Sequence, residues 1–407
     1  MKKIIFYTSL VIAVFTLSSI KNNSVFAQDL RKNRLIYSPK VFDYYSLDYN
    51  RVEGLFLGGK YSYSNKKLPQ TWLDIEAGYG FKSKDIGYSA SIIHGFNMLY
   101  STTAGISIFD EIRSNESEMV KNYENTLSTL LLRRDYRDYY RVKGINAGFF
   151  HKIKTYFSSE FNLRFIKYSR SINNDPWSMF FKERIFRDNP EAAENEEIVL
   201  KWTLDYSNLE NEYVESNYWR FKADFEKELK NFDYTGFDFL ISRTQLSWGS
   251  QTLKINLNGR FKFGTTVEQH LFDLGGIGTL RGYGFKEFTG NRMLYLESTY
   301  FFGGDLMQKL PLHFIPFYST FKTSVFFETG MTWIHEPFIT EPSLTGYSNP
   351  NIYERETGTR FKDIKSDIGV SLYFLNFFDG TFRLDTAVRL DGYENPVKTT
   401  FRLIKTF

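Results

Sequence analysis

The most constraining feature of this sequence is an alternation of apolar and polar residues that recurs along much of the chain. In segment 253–263, Leu, Ile and Phe occupy nearly every second position, and Lys, Asn and Arg stand between them. Segments 198–206, 219–226 and 382–390 repeat the pattern. Because successive side chains of a β-strand point to opposite faces, each segment has one apolar and one polar face. The sequence therefore predicts an all-β protein.

The aromatic content favours a membrane-embedded barrel over a water-soluble β-sandwich, the alternative fold that shares this alternation. The chain has 41 Phe, 28 Tyr and 6 Trp residues, while 24% of its residues are charged. A membrane barrel accommodates both groups, because its rings face lipid and its charges face a wet interior. Beyond residue 27, no segment reaches the length of a membrane-spanning helix, so any crossing must be made by strands.

Strand counting predicts the size of the barrel. Fifteen segments fit the alternating pattern, and a single-chain bacterial barrel closes with an even number of strands. We therefore predict a transmembrane antiparallel β-barrel of 16 strands. The missing strand is expected at 123–137, although Leu127, Leu130, Leu131 and Leu132 there also fit a short amphipathic helix. The fifteen segments are 50–63, 70–81, 85–95, 98–110, 139–152, 156–169, 197–207, 215–229, 235–247, 251–264, 291–303, 319–334, 364–375, 380–390 and 398–407.

The connections between strands differ in length, and this predicts which end of the barrel faces outward. Outer-membrane barrels have short periplasmic turns and longer extracellular loops. The long connections at 171–196, 265–290 and 335–361 are therefore expected outside the cell. The short connection at 376–379 is expected to be a periplasmic turn.

The first residues have the pattern of a secretory signal peptide. Lys2 and Lys3 precede a mostly apolar stretch, and Val25 and Ala27 occupy the two positions that a signal peptidase inspects. The alternative, a membrane-spanning helix, needs ~20 apolar residues, whereas this stretch is shorter and contains several Ser and Thr residues. We predict cleavage after Ala27, a periplasmic leader at 28–49 and a barrel at 50–407 in the outer membrane of a Gram-negative bacterium.

Charge and cysteine content narrow the classes of partner and site. Lys plus Arg, 51, nearly balances Asp plus Glu, 47, so the chain lacks the basic excess of a nucleic-acid-binding protein. The absence of cysteine excludes a disulfide framework, a lipoprotein anchor and a thiolate metal site. The histidines lack ligand spacing, so we predict no metal and no cofactor. They are His94, His151, His270, His313 and His335.

One stretch of sequence resembles a known family. The segment LGGIGTLRGYG at 274–284 is followed by Gly290–Asn291 and by a strand that carries Glu297. These features are similar to the bacterial surface antigen superfamily, also called the outer membrane protein-85 superfamily, which includes the barrels of BamA, TamA and FhaC. The resemblance implies that Leu280, Arg281, Gly282 and Tyr283 form the motif at the tip of the sixth extracellular loop, folded back into the lumen.

Other parts of the chain resemble the same family in the expected order. YNRVEGLFLG at 49–58 is similar to its first barrel strand, and FRLDTAV at 382–388 and FRLIKTF at 401–407 are similar to its last two. VFFETG at 325–330 lies where the family has Asp-x-Gly, with Glu328 in place of the Asp. The resemblance implies that the C-terminal residues Phe401, Leu403 and Phe407 form the signal by which such barrels are recognised for insertion.

Alternation places Glu297 and Glu328 on the polar faces of their strands, where they would meet Arg281. A guanidinium shielded from water needs acceptors for its fork of donors, and two carboxylates supply them. We therefore predict that the loop is locked to the wall through these acids, and that Gly282 permits a tight turn at the loop tip. The alternative for both glutamates is that of ordinary polar residues facing the lumen.

Two departures from the family bear on function. Family members usually carry periplasmic POTRA domains before the barrel, whereas 28–49 is too short for one, so the expectation is a barrel-only member without POTRA domains. The sequence also lacks the Gly-x-Ser-x-Gly element of a fused lipase domain. Receipt of unfolded polypeptide would then require a separate periplasmic or lipoprotein subunit.

Three functions remain at this point. The resemblance implies assistance to polypeptide or lipid insertion or transport at the outer membrane, with membrane lipid, an unfolded polypeptide and the separate subunit as partners. The alternative is a passive pore, plugged by the sixth loop, or a structural barrel. An outer-membrane enzyme such as a phospholipase is disfavoured, because His94 and His151 lie at strand ends without a matching motif. We therefore predict no catalytic residues.

Overall fold

A single large sheet dominates the structure. A computed structural model describes residues 45–65, 68–96, 101–117, 119–209, 217–247, 251–302, 321–334, 356–357, 364–377 and 380–405. Within these residues, 16 strands form one antiparallel sheet in which nearly every strand pairs with its neighbours in the chain. A second sheet of 3 short strands lies in the long connections. The fold class is therefore all-β, as predicted.

The sheet is a meander whose strands are mostly longer than the average strand of a globular protein. Its sixteen strands are β1 (Tyr45–Asn50), β2 (Gly54–Asn65), β3 (Leu68–Gly80), β4 (Asp85–Gly95), β5 (Thr102–Ser114), β6 (Tyr139–Lys154), β7 (Phe157–Arg170), β8 (Glu196–Ser207), β9 (Tyr218–Glu228), β10 (Tyr234–Leu246), β11 (Thr252–Gly264), β14 (Arg292–Phe302), β15 (Lys322–Trp333), β17 (Lys365–Phe377), β18 (Gly380–Arg389) and β19 (Val397–Lys405). The small sheet contains β12 (Phe272–Leu274), β13 (Phe288–Gly290) and β16 (Glu356–Thr357). Helix α1 spans Asn122–Leu132, and 3₁₀ turns span Asn115–Ser117 and Glu268–His270.

The two faces of the large sheet differ in the way that the alternation predicts. On one face, rings and aliphatic side chains are exposed, including Phe225 on β9 and Leu200 on β8. On the other face, charged side chains are buried, and Glu328, Asp367 and Asp385 are almost completely inaccessible. The sheet therefore has an apolar outer face and a polar inner face, and the connections pack against the inner face.

Each of the fifteen predicted strand segments overlaps a strand of the large sheet, and the expected position of the sixteenth was wrong. Residues 122–132 form helix α1, and the remaining strand is β1, Tyr45–Asn50, which lies in the predicted leader except for its last residue. The leucines of α1 are three and four residues apart, which suits one face of a helix. The segment Tyr45–Asn50 alternates instead, but it is too short to stand out in the sequence.

The first and last strands are the two ends of the sheet. Among the described residues, β1 pairs only with β2 and β19 only with β18, so the predicted closure of the barrel by hydrogen bonds between them is not seen. Helix α1 lies against β1 and also approaches β19. The position where a closed barrel would join its ends is thus occupied by a helix.

The long connections 171–195 and 265–291 leave the same end of the sheet as the helix-bearing connection 115–138, because an even number of strands separates them. Connection 265–291 contains β12 and β13, which pair with each other, and β13 also pairs with β16. Within the described part of the chain, no helix is both long and apolar enough to cross a membrane.

Candidate functional site

The tip of connection 265–291 is anchored by buried apolar side chains on either side of Arg281. Leu280 and Tyr283 are completely buried, and Leu280 adopts a left-handed backbone conformation with φ of 43°. Both pack in a cluster with other side chains of the connection and of β14. These are Phe272, Leu274, Phe288, Met293 and Tyr295. The cluster directs Arg281 onto the inner face of the sheet.

Arg281 lies between the two glutamates that alternation placed on the polar face. Glu297 on β14 and Glu328 on β15 are directly opposite each other in the strand register. Like charges at opposed positions repel, so this pair requires a cation. The guanidinium contacts a Glu297 carboxylate oxygen through Nη2, and its Nε lies 3.0 Å from Glu328 Oε1. Tyr295 also donates from its hydroxyl to Glu328 over 2.7 Å.

Two further strands contribute acceptors that the sequence did not single out. Arg281 Nη1 donates to Ser371 Oγ on β17 over 3.2 Å and lies 3.6 Å from Asp385 Oδ1 on β18. Asp385 stands on the polar side of the alternating segment 382–390, so the sequence did place it on the inner face. Its distance along the chain from Arg281 gave no sign that the two meet.

The backbone of the loop tip is held as firmly as the side chain. The amide of Arg281 donates to Glu328 Oε2, and the amide of Gly282 donates to Asp367 Oδ2 on β17, each over 2.7 Å. A Cβ at Gly282 would lie 3.1 Å from Asp367 Cβ and 3.2 Å from the Arg389 nitrogen. Residues 280–283 form a tight turn, in which the Tyr283 amide donates to the Leu280 carbonyl over 3.0 Å, and Gly282 lies in this turn without a positive φ. Glycine is needed here for the close approach of the loop to the wall.

The surroundings of Arg281 keep it charged. Burial by itself would lower the pKa of the guanidinium, but the negative charges of Glu328, Glu297 and Asp385 raise this pKa above its ordinary value. The guanidinium carbon also lies 3.9 Å from the centre of the Phe326 ring, within range of a cation–π interaction. The site is therefore a buried ionic network in which Arg281 stays charged and Arg383 also contacts Asp385, with 2.8 Å between Nη2 and Oδ2.

A second buried network joins the same connection to the helix-bearing connection 115–138. Lys286 Nζ contacts Glu116 Oε1, lies 2.5 Å from Asp138 Oδ2 and lies 3.0 Å from Asp273 Oδ2. Burial would lower the pKa of the Lys286 ammonium, but the charges of Asp138, Asp273 and Glu116 raise it. Oxygens of the three acids lie within 4.8 Å of one another, close enough to share an ion, and the ammonium contacts all of them.

A polar cavity of about 230 Å³ lies on the inner face beside the tip of the loop. Cationic groups from three strands and from the loop line the cavity together with Glu297. The cavity has space for water or a small polar group. The cationic residues are Lys254, Arg281, Arg383 and Arg402.

The other predicted site residues lie elsewhere. Phe401 on β19 is exposed on the outer face and stacks on Phe382, with ring centres 5.4 Å apart, and Leu403 is buried. Ala27, the predicted cleavage position, and Phe407, the end of the predicted insertion signal, lie outside the described residues. The structure therefore brings together the loop motif, Glu297 and Glu328, and leaves the roles of the terminal residues as predictions.

A family model described as the C-terminal domain of a family of unknown function (DUF5686) matches residues 26–267. This match ends before the loop motif at 280–283. No curated protein sequence matches the chain.

Comparison with solved structures identifies barrels of similar architecture. BamA from Haemophilus ducreyi, lacking POTRA domains 1–3, is 13% identical, with 88% of this chain and 68% of that chain covered and a TM-score of 0.55. CdiB from Acinetobacter baumannii is 13% identical over 88% of this chain and 58% of that one, with a TM-score of 0.42. CdiB from Escherichia coli is 10% identical over 88% and 61%, with a TM-score of 0.45.

The chain thus spans less than two thirds of either CdiB chain. The likeness to BamA concerns the fold, and it agrees with the resemblance that the loop motif indicates.

Proposed function

The chain belongs to the family of unknown function DUF5686 and matches the C-terminal domain of that family. We propose that this member is an outer-membrane β-barrel that assists the insertion or transport of polypeptide, or of lipid. The observation that carries the proposal is the anchored loop tip. Arg281 and Gly282 bind groups on β14, β15, β17 and β18, four consecutive strands of the sheet. A loop held in this way would occupy the interior of a barrel.

The two faces of the sheet support a location in a membrane. The outer face exposes rings and aliphatic side chains, which water would solvate poorly and which acyl chains would cover. The inner face carries the buried ionic networks, which need a polar interior. Counting strands from β1, the anchored loop follows the eleventh strand of the large sheet, and we place this end of the barrel outside the cell.

The unpaired ends of the sheet support a role in transport through the wall. A ladder of backbone hydrogen bonds between first and last strands would have to be broken along its whole length before the wall could open. Here β1 and β19 are joined through the side chains of α1, among them Thr126 bonded to Asp48 and Glu124 bonded to Arg402. Such a joint can open by breaking a small number of side-chain contacts.

A separate periplasmic or lipoprotein subunit would deliver the substrate in this proposal. We place the unfolded polypeptide on the inner face of the sheet, at the polar cavity beside Arg281 that Lys254, Arg383 and Arg402 also line. Outer-membrane lipid is the remaining partner, in contact with the outer face.

Site-specific photocrosslinking in native membranes tests this function. A photoreactive amino acid at Lys254 or Tyr373, both lining the cavity, should trap polypeptide substrate or the subunit. The control position is Phe225, which is exposed on the outer face of β9 and should trap lipid only. If the cavity positions trap no polypeptide while the control position reacts normally, the proposed transport function is excluded.

The second candidate is a passive pore plugged by connection 265–291. The observation that favours it is a second anchor of this connection, at Lys286. This residue is buried against Glu116 and Asp138 of connection 115–138, so it holds a part of the loop that Arg281 does not reach. Conductance in planar bilayers separates the two candidates. If the loop is a plug, the Arg281→Ala variant should conduct ions whether or not substrate is present. If the protein is a transporter, photocrosslinking at Lys254 should trap substrate.

A further inference from the structure

Helix α1 contacts both faces of the edge strand β1. On the polar face, Thr126 Oγ1 donates to Asp48 Oδ1 over 2.6 Å. On the apolar face, Leu130 packs against Leu47, which pairs in register with the exposed residue Leu57 of β2. Because Asp48 and Leu47 point to opposite sides of the sheet, the helix must pass around the edge of β1.

The helix and its flanking segments also bind backbone groups at the start of the sheet. The Tyr49 amide donates to Thr126 Oγ1 over 3.1 Å, and the Arg51 amide donates to Asp135 Oδ2 over 2.9 Å. The carbonyl of Arg51 accepts from the Asn174 amide over 3.0 Å. An exposed strand edge favours pairing with other chains, and such covering prevents it.

Connection 171–195 continues this covering on the apolar side. The amides of Met179 and Phe180 donate to the carbonyls of Leu130 and Leu131, over 2.8 and 3.1 Å. The Tyr49 hydroxyl donates to the Trp177 carbonyl over 2.5 Å. Segment 172–181 therefore lies beside the end of α1 that packs on the outer face of β1.

This segment exposes large apolar side chains. Ile172 is 71% exposed, Phe180 54% and Phe181 56%, and Leu132 at the end of α1 is 38% exposed. We call these four residues the seam patch. Exposed apolar side chains grouped on neighbouring segments of a folded protein mark a site of interaction with a partner or a membrane.

We propose that the seam patch is a lipid-binding surface that contacts the acyl chains of the bilayer, so that α1 and segment 172–181 complete the lipid-facing wall where β1 and β19 do not pair. The inference rests on the proposed location in a membrane. Two observations favour lipid as the occupant. The patch adjoins the outer face of the β1–β2 pair, where Leu57 and Tyr61 are exposed. The Arg184 guanidinium lies 4.9 Å from the centre of the Phe181 ring, and this pairing of cation and ring suits the boundary between acyl chains and phosphate groups.

Nitroxide accessibility in a bilayer tests the proposal, and the absence of native cysteine makes single-site labelling straightforward. The full mature protein would carry Phe180→Cys or Phe181→Cys, labelled and reconstituted into vesicles of phosphatidylethanolamine and phosphatidylglycerol. At each position, the accessibility of the nitroxide to oxygen is divided by its accessibility to a water-soluble nickel complex. This ratio should be several-fold higher at both positions than at the control Glu183→Cys, which labels an exposed polar neighbour.

A second control separates this inference from the proposed function. Phe225→Cys on the outer face of β9 reports whether the sheet itself is in lipid. If Phe225 is accessible to oxygen and the patch to nickel, the sheet is in the membrane and the lipid-binding patch is refuted. Low accessibility to both reagents at the patch would also refute it, in favour of a protein partner. If Phe225 is itself accessible to nickel, the membrane location fails.

Discussion

Arg402 on the last strand of the sheet forms a two-bond ion pair with Glu124 on helix α1. Its Nε donates to Glu124 Oε1 over 2.8 Å and its Nη2 to Oε2 over 2.9 Å, and both side chains are buried. The same helix is bound to β1 through Thr126 and Asp48. The two ends of the sheet are therefore linked through one helix, and this ion pair connects the helix to β19.

Removing one partner of this pair should destabilise the folded protein. Glu124→Leu leaves a buried guanidinium with a remaining bond to the Met119 carbonyl, at a cost of about 3–5 kcal/mol in the free energy of unfolding. The double variant with Arg402→Met should recover much of this loss, because no buried charge is then unpaired. Urea unfolding in lipid vesicles, followed by tryptophan fluorescence, measures both effects.

An exposed ion pair provides the matched control for that experiment. Lys227 and Asp233 lie 2.6 Å apart near the end of β9, and both are substantially exposed to solvent. Asp233→Asn should change the free energy of unfolding by about 0–1 kcal/mol. If Glu124→Leu is no more destabilising than this control, the helix does not join the ends of the sheet as described.

Replacement of Arg281 should release the loop tip. Arg281→Ala removes the cation that contacts both Glu297 and Glu328, so the opposed carboxylates repel and the loop loses its side-chain anchor. We expect higher and noisier single-channel conductance in planar bilayers. Arg281→Lys should not restore the original trace, because an ammonium cannot reproduce the planar fork of donors.

The control for this variant is Arg220→Ala, which removes a partly exposed inner-face pair with Asp205 that lies away from the loop. Equal conductance in the Arg281→Ala protein, the control and the unmodified protein would exclude the loop as an obstruction.

Gly282 should tolerate no side chain, even though its backbone conformation would permit one. In Gly282→Ala, the new Cβ would lie 3.1 Å from Asp367 Cβ and 3.2 Å from the Arg389 nitrogen, closer than most Cβ contacts in proteins. The loop must therefore shift, and the hydrogen bond from the residue 282 amide to Asp367 should lengthen. We expect a loss of about 1–3 kcal/mol in the free energy of unfolding. Gly87→Ala is the matched control, because its Cβ would make only ordinary contacts. Equal stability of the two variants would contradict the close approach of the loop.

The strands were predictable because alternation is a local property of the sequence. Segment 253–263 has its apolar and polar positions fixed by neighbours in the chain, and the structure has β11 there. The same alternation placed Glu297 and Glu328 on one face, and the family motif supplied Arg281 as the group that meets them. Where a short pattern had two interpretations, as at 123–137, the sequence could not decide between strand and helix.

The remaining contacts depend on where distant segments meet, which no local pattern records. Lys286 in the loop and Glu116 near α1 are both ordinary charged residues in the sequence, and only the folded chain brings them together. Asp367 accepts from the Gly282 amide because β17 lies beside β15. The position of α1 between β1 and β19 likewise results from tertiary packing, and short sequence motifs do not predict it.

Neutralising Lys286 should make stability depend on pH in a predictable direction. Lys286→Met keeps the length of the side chain but leaves Glu116, Asp138 and Asp273 clustered without the cation that contacts all of them. Arg51 and Arg187 still contact Asp138, so the repulsion involves mainly Glu116 and Asp273. Ionised carboxylates that repel one another bind a proton more readily in the folded chain than in the unfolded chain. By linkage, the variant should therefore gain stability as the pH falls and lose it as the pH rises.

The unmodified protein should show a smaller gain than the variant, because its ammonium stays charged throughout the acidic and neutral range. Most proteins are most stable between about pH 5 and pH 8, so urea unfolding should be measured across this range. The urea midpoints at each pH give the difference in stability between the two proteins. Lys227→Met, which changes an exposed lysine, is the control for loss of charge alone. Parallel pH profiles for all three proteins would show that the three acids do not share the Lys286 charge. A profile for Lys286→Met that falls more steeply with rising pH than the other two profiles is the result that the buried cluster predicts.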